Sequence, residues 1–183
     1  MRVFSTAWLA AILALFSYGT AMAQSEPFVS LDRYELGPGD RVRIIVFGEA
    51  DLSGEFELDS TGVVALPLIG EINANGIHAR ALETRIEGAL RDGYLLNPQV
   101  SAEIIEYRPF YILGEVEQPG EYPYVTGMTI VKAIALAGGY TPRANRRRVF
   151  VQLKGEGQEI EKPADESVRV SPGDVLRIPE SFF

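Results

Sequence analysis

Glycine and proline divide this sequence into short runs in which polar and apolar residues alternate, with 18 glycines and 11 prolines among 183 residues. The run RVRIIVFGE, from Arg41, alternates and then becomes continuously apolar, as expected for a strand with one buried face. FELDSTGVVALPLIGEI predicts a hairpin with DSTG (Asp59 to Gly62) as its turn. Further strands are predicted in PQVSAEIIEY, FYILGEV, GEYPYV, RVFVQL and DVLRI. Strands this short, bounded by turn residues, predict small, mainly antiparallel sheets.

The segment ARALETRIEGALRDG has helical rather than strand periodicity. Its apolar residues recur on one face, at Leu82, Ile86, Ala89 and Leu90. Glu87 and Arg91 are spaced for an i, i+4 ion pair on the other face, and Gly93 is placed to end the helix.

A second helix is predicted in TIVKAIALAGG. Thr129 is its expected N-cap, and Gly138 and Gly139 are expected to stop it. Its apolar face consists of Ile130, Ile134 and Ala137. Strands, helix, strands, helix and strands in this order predict an α+β fold in which each helix covers an antiparallel sheet.

Two phrases of the sequence occur twice. LGPGDRVRI (36–44) returns as VSPGDVLRI (170–178), and LIGEINANG (68–76) returns as ILGEVEQPG (112–120). We interpret these echoes as two related, packed units at 28–106 and 108–181, joined at the short EYRP, where Pro109 breaks the strand.

The residues of these phrases predict structure rather than chemistry. Asp40 and Asp174 each follow Pro-Gly, where an aspartate holds a tight turn by accepting hydrogen bonds from nearby backbone N–H groups. The expected structural residues are Pro38, Gly39, Asp40, Gly114, Pro119, Gly120, Gly138, Gly139, Pro172, Gly173 and Asp174.

The first 23 residues predict a cleaved secretory signal peptide. Arg2 supplies a positive start, AWLAAILALF an apolar stretch, and AMA (21–23) the small residues of a cleavage site before Gln24. The absence of cysteine excludes disulfides and thiolate chemistry. A net charge of −8 argues against a nucleic-acid partner, whose phosphates require clustered Lys and Arg.

Enzymatic motifs are absent from the sequence. His78, the only histidine, precedes the first helix and is expected to have a capping or surface role. There is no Gly-x-Ser-x-Gly and no Walker-type loop, and we expect no metal and no cofactor. Two other classes stay open, a small carbohydrate hydrolase that uses paired carboxylates and a monomeric carbohydrate-binding module.

Four segments of the sequence, in order, resemble known families. YELGPGDRVRIIVFGE, DSTGVVALPLIGEINANG and LLNPQVSAEIIEY together resemble the bacterial polysaccharide biosynthesis/export family. YILGEVEQPGEYPYVTGMTIVKAIALAGGYTPRAN resembles the soluble-ligand-binding β-grasp (SLBB) domain that follows in such proteins.

The resemblance implies a non-enzymatic, ring-forming periplasmic protein, associated with the outer membrane, that exports capsular or extracellular polysaccharide. Its implied partners are further copies of itself, an inner-membrane co-polymerase and the polysaccharide cargo. The chain has no cysteine after the leader and ends at IPESFF, so we expect neither a lipid tether nor the C-terminal helix with which longer relatives cross the outer membrane. The expectation is a short form that needs a separate outer-membrane β-barrel.

A basic cluster after the second helix is the candidate contact surface: Tyr140, Arg143, Arg146, Arg147 and Arg148. It is expected to bind an acidic face of a neighbouring subunit, in preference to anionic polysaccharide, or else to guard a strand edge. Five aromatic residues are expected to pack rather than stack on sugars: Tyr107, Phe110, Tyr111, Tyr122 and Tyr124. Phe182 and Phe183 are expected either to dock on a partner or to fold back.

Overall fold

The computed structural model describes residues 34–153 and 157–181, all of which belong to one compact unit. The predicted signal peptide and the terminal Phe182 and Phe183 lie outside the described residues. Within the described part, no helix is long and apolar enough to span a membrane.

The described residues form ten strands and two helices, an α+β fold as predicted. Their order is β1 (Arg41–Val46), β2 (Glu49–Glu57), β3 (Val63–Leu66), β4 (Gly70–Asn73), α1 (Ala79–Arg91), β5 (Val100–Glu106), β6 (Phe110–Gly114), β7 (Gly120–Tyr122), α2 (Ile130–Leu136), β8 (Arg148–Gln152), β9 (Glu159–Pro163) and β10 (Val175–Ile178).

The first sheet has β1 at its centre, paired antiparallel with β2 and β5. The alternation predicted for β1 is confirmed, because Val42, Ile44 and Val46 are buried while the residues between them face outward. Helix α1 packs on this sheet through Leu82, Ile86 and Leu90, and Ala89 is only half-buried. These residues form a buried apolar cluster together with Leu36, Leu52, Leu58, Val64, Leu66 and Ala74.

Glu87 does not form the predicted ion pair with Arg91. Its carboxylate accepts a hydrogen bond from the Val100 N–H at 3.1 Å, and Glu83 accepts one from the Ala102 N–H at 2.8 Å. Because β5 is an edge strand, these N–H groups have no strand partner, and a partly buried backbone donor is a better partner for a carboxylate than an exposed arginine. The two glutamates thus protect the sheet edge.

The predicted hairpin is wrong in its pairing, although the DSTG turn exists. Asp59 accepts hydrogen bonds from the N–H groups of Thr61 (2.8 Å) and Val63 (2.9 Å), which closes the turn. The strands on either side do not pair, because β2 is bonded to β1 and β3 is bonded to β4. The true hairpin reverses at 67–69, between β3 and β4.

The second sheet has the order β7-β6-β10-β8-β9. Its pairs are antiparallel except for β6 with β10, which run parallel. Helix α2 covers it with Ile130, Ala133 and Ile134, and Thr129 accepts a hydrogen bond from the Lys132 N–H as the predicted N-cap. A second buried cluster surrounds this helix: Phe110, Ile112, Val116, Met128, Ala137, Ala144, Val149, Val151, Val170, Leu176 and Ile178.

The two echoes differ in how far the structure repeats them. Both Pro-Gly-Asp turns lie just before a strand and place glycine at positive φ, +84° for Gly39 and +87° for Gly173. In the other echo, Gly70 begins β4 whereas Gly114 ends β6. The second phrase therefore marks different places in the fold.

Candidate functional site

The two Pro-Gly-Asp turns are built alike. Asp40 accepts a hydrogen bond from the Gly37 N–H at 2.8 Å, and Asp174 accepts one from the Ser171 N–H at 2.8 Å. Each turn also bonds to a neighbouring segment through backbone groups, the first to Leu58 and the second to Pro109 and Tyr111. Both aspartates are buried, which withdraws them from the solvent that a hydrolytic carboxylate would need.

Arg108 joins the two turns. Its backbone N–H donates to Asp40 Oδ1 (2.8 Å), and its guanidinium lies 3.5 Å from Asp40 Oδ2. Its Nε donates to the Pro172 carbonyl oxygen (3.1 Å) and its Nη2 to the Glu35 carbonyl oxygen (3.4 Å). The Tyr34 hydroxyl donates to the same Asp40 carboxylate at 2.8 Å. We call Tyr34, Asp40, Arg108 and the Pro172 carbonyl the clasp.

The clasp is buried as well as charged. The Asp40 side chain is fully buried and that of Arg108 is 10% exposed. Burial, and then the neighbouring Asp40 carboxylate, raise the pKa of Tyr34 far above its ordinary value. The sequence predicted Asp40 and Pro172 as turn residues but not the roles of Arg108 and Tyr34, because an arginine in a four-residue junction has the pattern of an exposed linker. The one feature of the sequence that could have indicated a role for Arg108 is its position in the junction between the two predicted units.

Most of the candidate aromatic residues pack against one another. Tyr107 lies edge-on between Tyr34 and Tyr124, with ring centroids 4.9 and 5.4 Å away. Phe110 is fully buried and its ring lies 6.0 Å from that of Tyr122. Tyr111, by contrast, is 39% exposed, and an exposed aromatic residue of this kind is available to a partner.

The structure divides the basic cluster. Arg143 is paired with Glu180 near the end of the described chain, and Arg148 with Glu161 of the neighbouring strand β9 at 3.7 Å. Arg146 lies over the Tyr140 ring, 5.8 Å from its centroid.

Arg147 is exposed, and among the described residues its guanidinium has no ion-pair partner. Arg146 and Arg147 are therefore the members of the cluster that are available for an external contact.

No arrangement typical of an enzyme is found in the described part of the chain. Residues 34–153 and 157–181 contain no group of three or more side chains that could hold a metal ion. His78 stands at the N-cap position of α1, but its ring does not cap the helix. Instead, its Nδ1 hydrogen-bonds the Tyr34 carbonyl oxygen at 2.9 Å, which is a structural contact.

Comparison with known proteins identifies both halves of the chain. The family model described as polysaccharide biosynthesis/export protein matches residues 30–105, and the SLBB domain model matches 109–164. The exopolysaccharide production protein ExoF of Rhizobium meliloti (strain 1021) is 31% identical over 163 residues, which are 81% of this chain and 37% of ExoF. The polysialic acid transport protein KpsD of Escherichia coli is 28% identical over 133 residues, 66% of this chain and 24% of KpsD.

The chain thus spans well under half the length of either curated relative. The two matched segments follow one another directly and meet at the clasp residue Arg108, which lies between them. Residues 30–105 of this chain thus match the polysaccharide biosynthesis/export family and residues 109–164 the SLBB domain, as the sequence motifs predicted.

Proposed function

We propose that this protein is a non-enzymatic component of a machine that exports polysaccharide across the bacterial envelope. The observation that carries the proposal is the order of the two matched segments, an export segment followed immediately by an SLBB segment. The names of the relatives, exopolysaccharide production and polysialic acid transport, favour a capsular or extracellular polysaccharide as cargo. The proposed location is the periplasm, next to the outer membrane, and the proposed partners are further copies of the chain and an inner-membrane co-polymerase.

We further propose that residues 28–106 and 108–181 are two domains that move as one. Each range contains its own buried apolar cluster, which supports the division. The clasp supports the coupling, because Arg108 bonds to Asp40 of one turn and to Pro172 of the other. Two domains held in this way would present fixed surfaces to neighbouring subunits of an assembly.

The proposed contact of the basic cluster with an acidic face of the next subunit now rests on Arg146 and Arg147. The intrachain pairs of Arg143 and Arg148 occupy the other two guanidinium groups. Stacking on Tyr140 holds the Arg146 guanidinium in place and leaves its N–H donors available. A chain with a net charge of −8 offers many acidic partners for these two arginines.

Charge reversal tests this contact. We expect Arg146→Glu combined with Arg147→Glu to shift the purified protein towards smaller species in sedimentation velocity. Arg80→Glu, an exposed reversal on α1, is the control and should leave the distribution unchanged. If the double variant sediments as the wild type does, the cluster guards the strand edge instead.

Deletion tests the function itself. Removing the chain from its host should abolish or strongly reduce surface polysaccharide, and the wild-type chain supplied in trans should restore it. Normal surface polysaccharide in the deletion strain would contradict the proposal. Incubating the purified protein with acidic exopolysaccharide and measuring new reducing ends separates export from hydrolysis, and we expect none.

A further inference from the structure

The hairpin between β3 and β4 has an unusual residue at its tip. Leu68 has a φ of +66° and is the one non-glycine residue with positive φ among residues 34–153 and 157–181. This left-handed backbone suits glycine or asparagine and is costly for leucine. The side chain is also 60% exposed, so leucine gains little from burial in this position. Backbone strain combined with an exposed apolar side chain indicates a residue kept for a contact outside its own copy.

A groove beside helix α2 has the complementary character. It has a volume of about 470 Å³ and is lined by Val125, Gly127, Met128, Lys132, Ala135 and Leu136. Val125 is 62% and Leu136 51% exposed, while Met128 is buried. Leu68 of the same copy is exposed and is not one of the residues that line the groove.

Charge at the two features is complementary too. Glu71 follows the hairpin tip, is exposed, and has no ion pair within the described part of the chain. Lys132 lines the groove, and its ammonium donates to the Gly127 carbonyl oxygen at 3.0 Å. An ammonium group has three donors, so two remain for a carboxylate.

We propose that the groove of one copy binds the hairpin tip of the next, with Leu68 inserted against Met128 and Glu71 paired with Lys132. The contact joins two different surfaces of the same chain, so it is heterologous and adds copies head to tail, closing into a ring where the rotation per copy permits. This inference rests on the proposed function only in that the export component works as an assembly. It specifies which surfaces hold neighbouring copies together.

The other exposed apolar residues of the described chain do not have the positive φ that distinguishes Leu68. Phe47 is 80% exposed and Leu96 fully exposed, but neither has a positive φ, and Gly48 takes the reversal beside Phe47. Phe47→Ser therefore serves as a matched loss of an exposed apolar side chain.

The test uses the purified protein without its predicted signal peptide in sedimentation velocity over a wide concentration range. Leu68→Asn should weaken assembly by at least about tenfold in the association constant, the scale of one buried leucine side chain. Its thermal midpoint should be equal to or above that of the wild type, because asparagine tolerates the left-handed backbone. Phe47→Ser should assemble as the wild type does.

Charge exchange supplies the second arm. Lys132→Glu and Glu71→Lys should each weaken assembly, and the double variant should restore most of it. Unchanged assembly of Leu68→Asn, a double variant no better than the singles, or a wild type that is monomeric at every concentration would each overturn the inference. The deletion experiment reads surface polysaccharide without reference to this contact, so the interface can fail while the proposed function stands.

Discussion

Replacing Asp40 by alanine removes the acceptor on which the clasp depends. Two buried backbone N–H groups, of Gly37 and Arg108, lose their partner, and the Arg108 guanidinium loses its counter-ion. An orphaned buried donor costs about 1–3 kcal/mol, and breaking a buried ion pair costs about 3–5 kcal/mol. Because the guanidinium contact is long, at 3.5 Å, and these effects are not additive, we expect a loss of about 4–6 kcal/mol.

The twin turn provides the comparison. Asp174 accepts a hydrogen bond from the partly buried Ser171 N–H at 2.8 Å, so Asp174→Ala should cost at least about 1–3 kcal/mol. Asp40→Asn keeps the side-chain volume and one acceptor oxygen, and should cost less than Asp40→Ala.

Urea unfolding followed by far-ultraviolet circular dichroism measures these differences. Tryptophan fluorescence is unsuitable, because the single tryptophan, Trp8, lies in the predicted signal peptide. With a slope of about 2 kcal/mol per M urea, Asp40→Ala should lower the midpoint by about 2–3 M. A midpoint for Asp40→Ala within about 0.5 M of the wild-type midpoint would refute the assignment of the clasp as a costly site. Reduced export with unchanged midpoints would instead point to a functional carboxylate.

Four further predictions concern single residues. Gly114→Ala would place a Cβ atom 2.2 Å from the Ile178 carbonyl oxygen at a φ of +88°, so we expect it to cost about 3–5 kcal/mol in thermal unfolding. Gly120→Ala, where no atom lies within 4 Å, should cost less than about 1 kcal/mol. Hydrogen bonds from Val63 and then Thr61 lower the pKa of Asp59. The ionised carboxylate should therefore stabilise the fold above about pH 4, and this stabilisation should be lost as the pH falls through the lowered pKa. Asp59→Asn should make the free energy of unfolding less dependent on pH in this acid range. Burial and Asp40 raise the pKa of Tyr34 above its ordinary value of 10.0. The protonated hydroxyl should therefore stabilise the fold fully below pH 10.0, and this stabilisation should be lost as the pH rises through the raised pKa. Tyr34→Phe should make the free energy of unfolding less dependent on pH in this alkaline range.

Local sequence patterns predicted most helices and strands correctly, but they did not predict which strands pair with one another. The alternation of β1 and the N-cap of α2 are both visible in the sequence, because burial on one face and capping depend on neighbouring residues. Strand β9 was missed because its residues are mostly exposed and do not alternate, and only pairing with β8 makes it a strand. The hairpin predicted at Asp59 is wrong because a turn motif does not determine which strands will pair.

For the candidate contact residues as well, the sequence showed the residue types and the structure showed which of them are available. Arg146 and Arg147 belong to a conspicuous basic run, but their availability could be read only after the structure paired Arg143 and Arg148 with glutamates distant in sequence. Leu68 has an ordinary apolar signature in the sequence, and its positive φ is a property of the folded hairpin.

The two Pro-Gly-Asp phrases were determined by sequence alone as turns that precede strands, because proline, glycine and aspartate act on the backbone within a few residues. Only the tertiary structure decided that the turns are joined, since Asp40 lies 68 residues before Arg108, and Arg108 lies 64 residues before Pro172. Contacts over such distances depend on how the two sheets pack, and packing is a sum over the whole chain rather than a property of any one phrase.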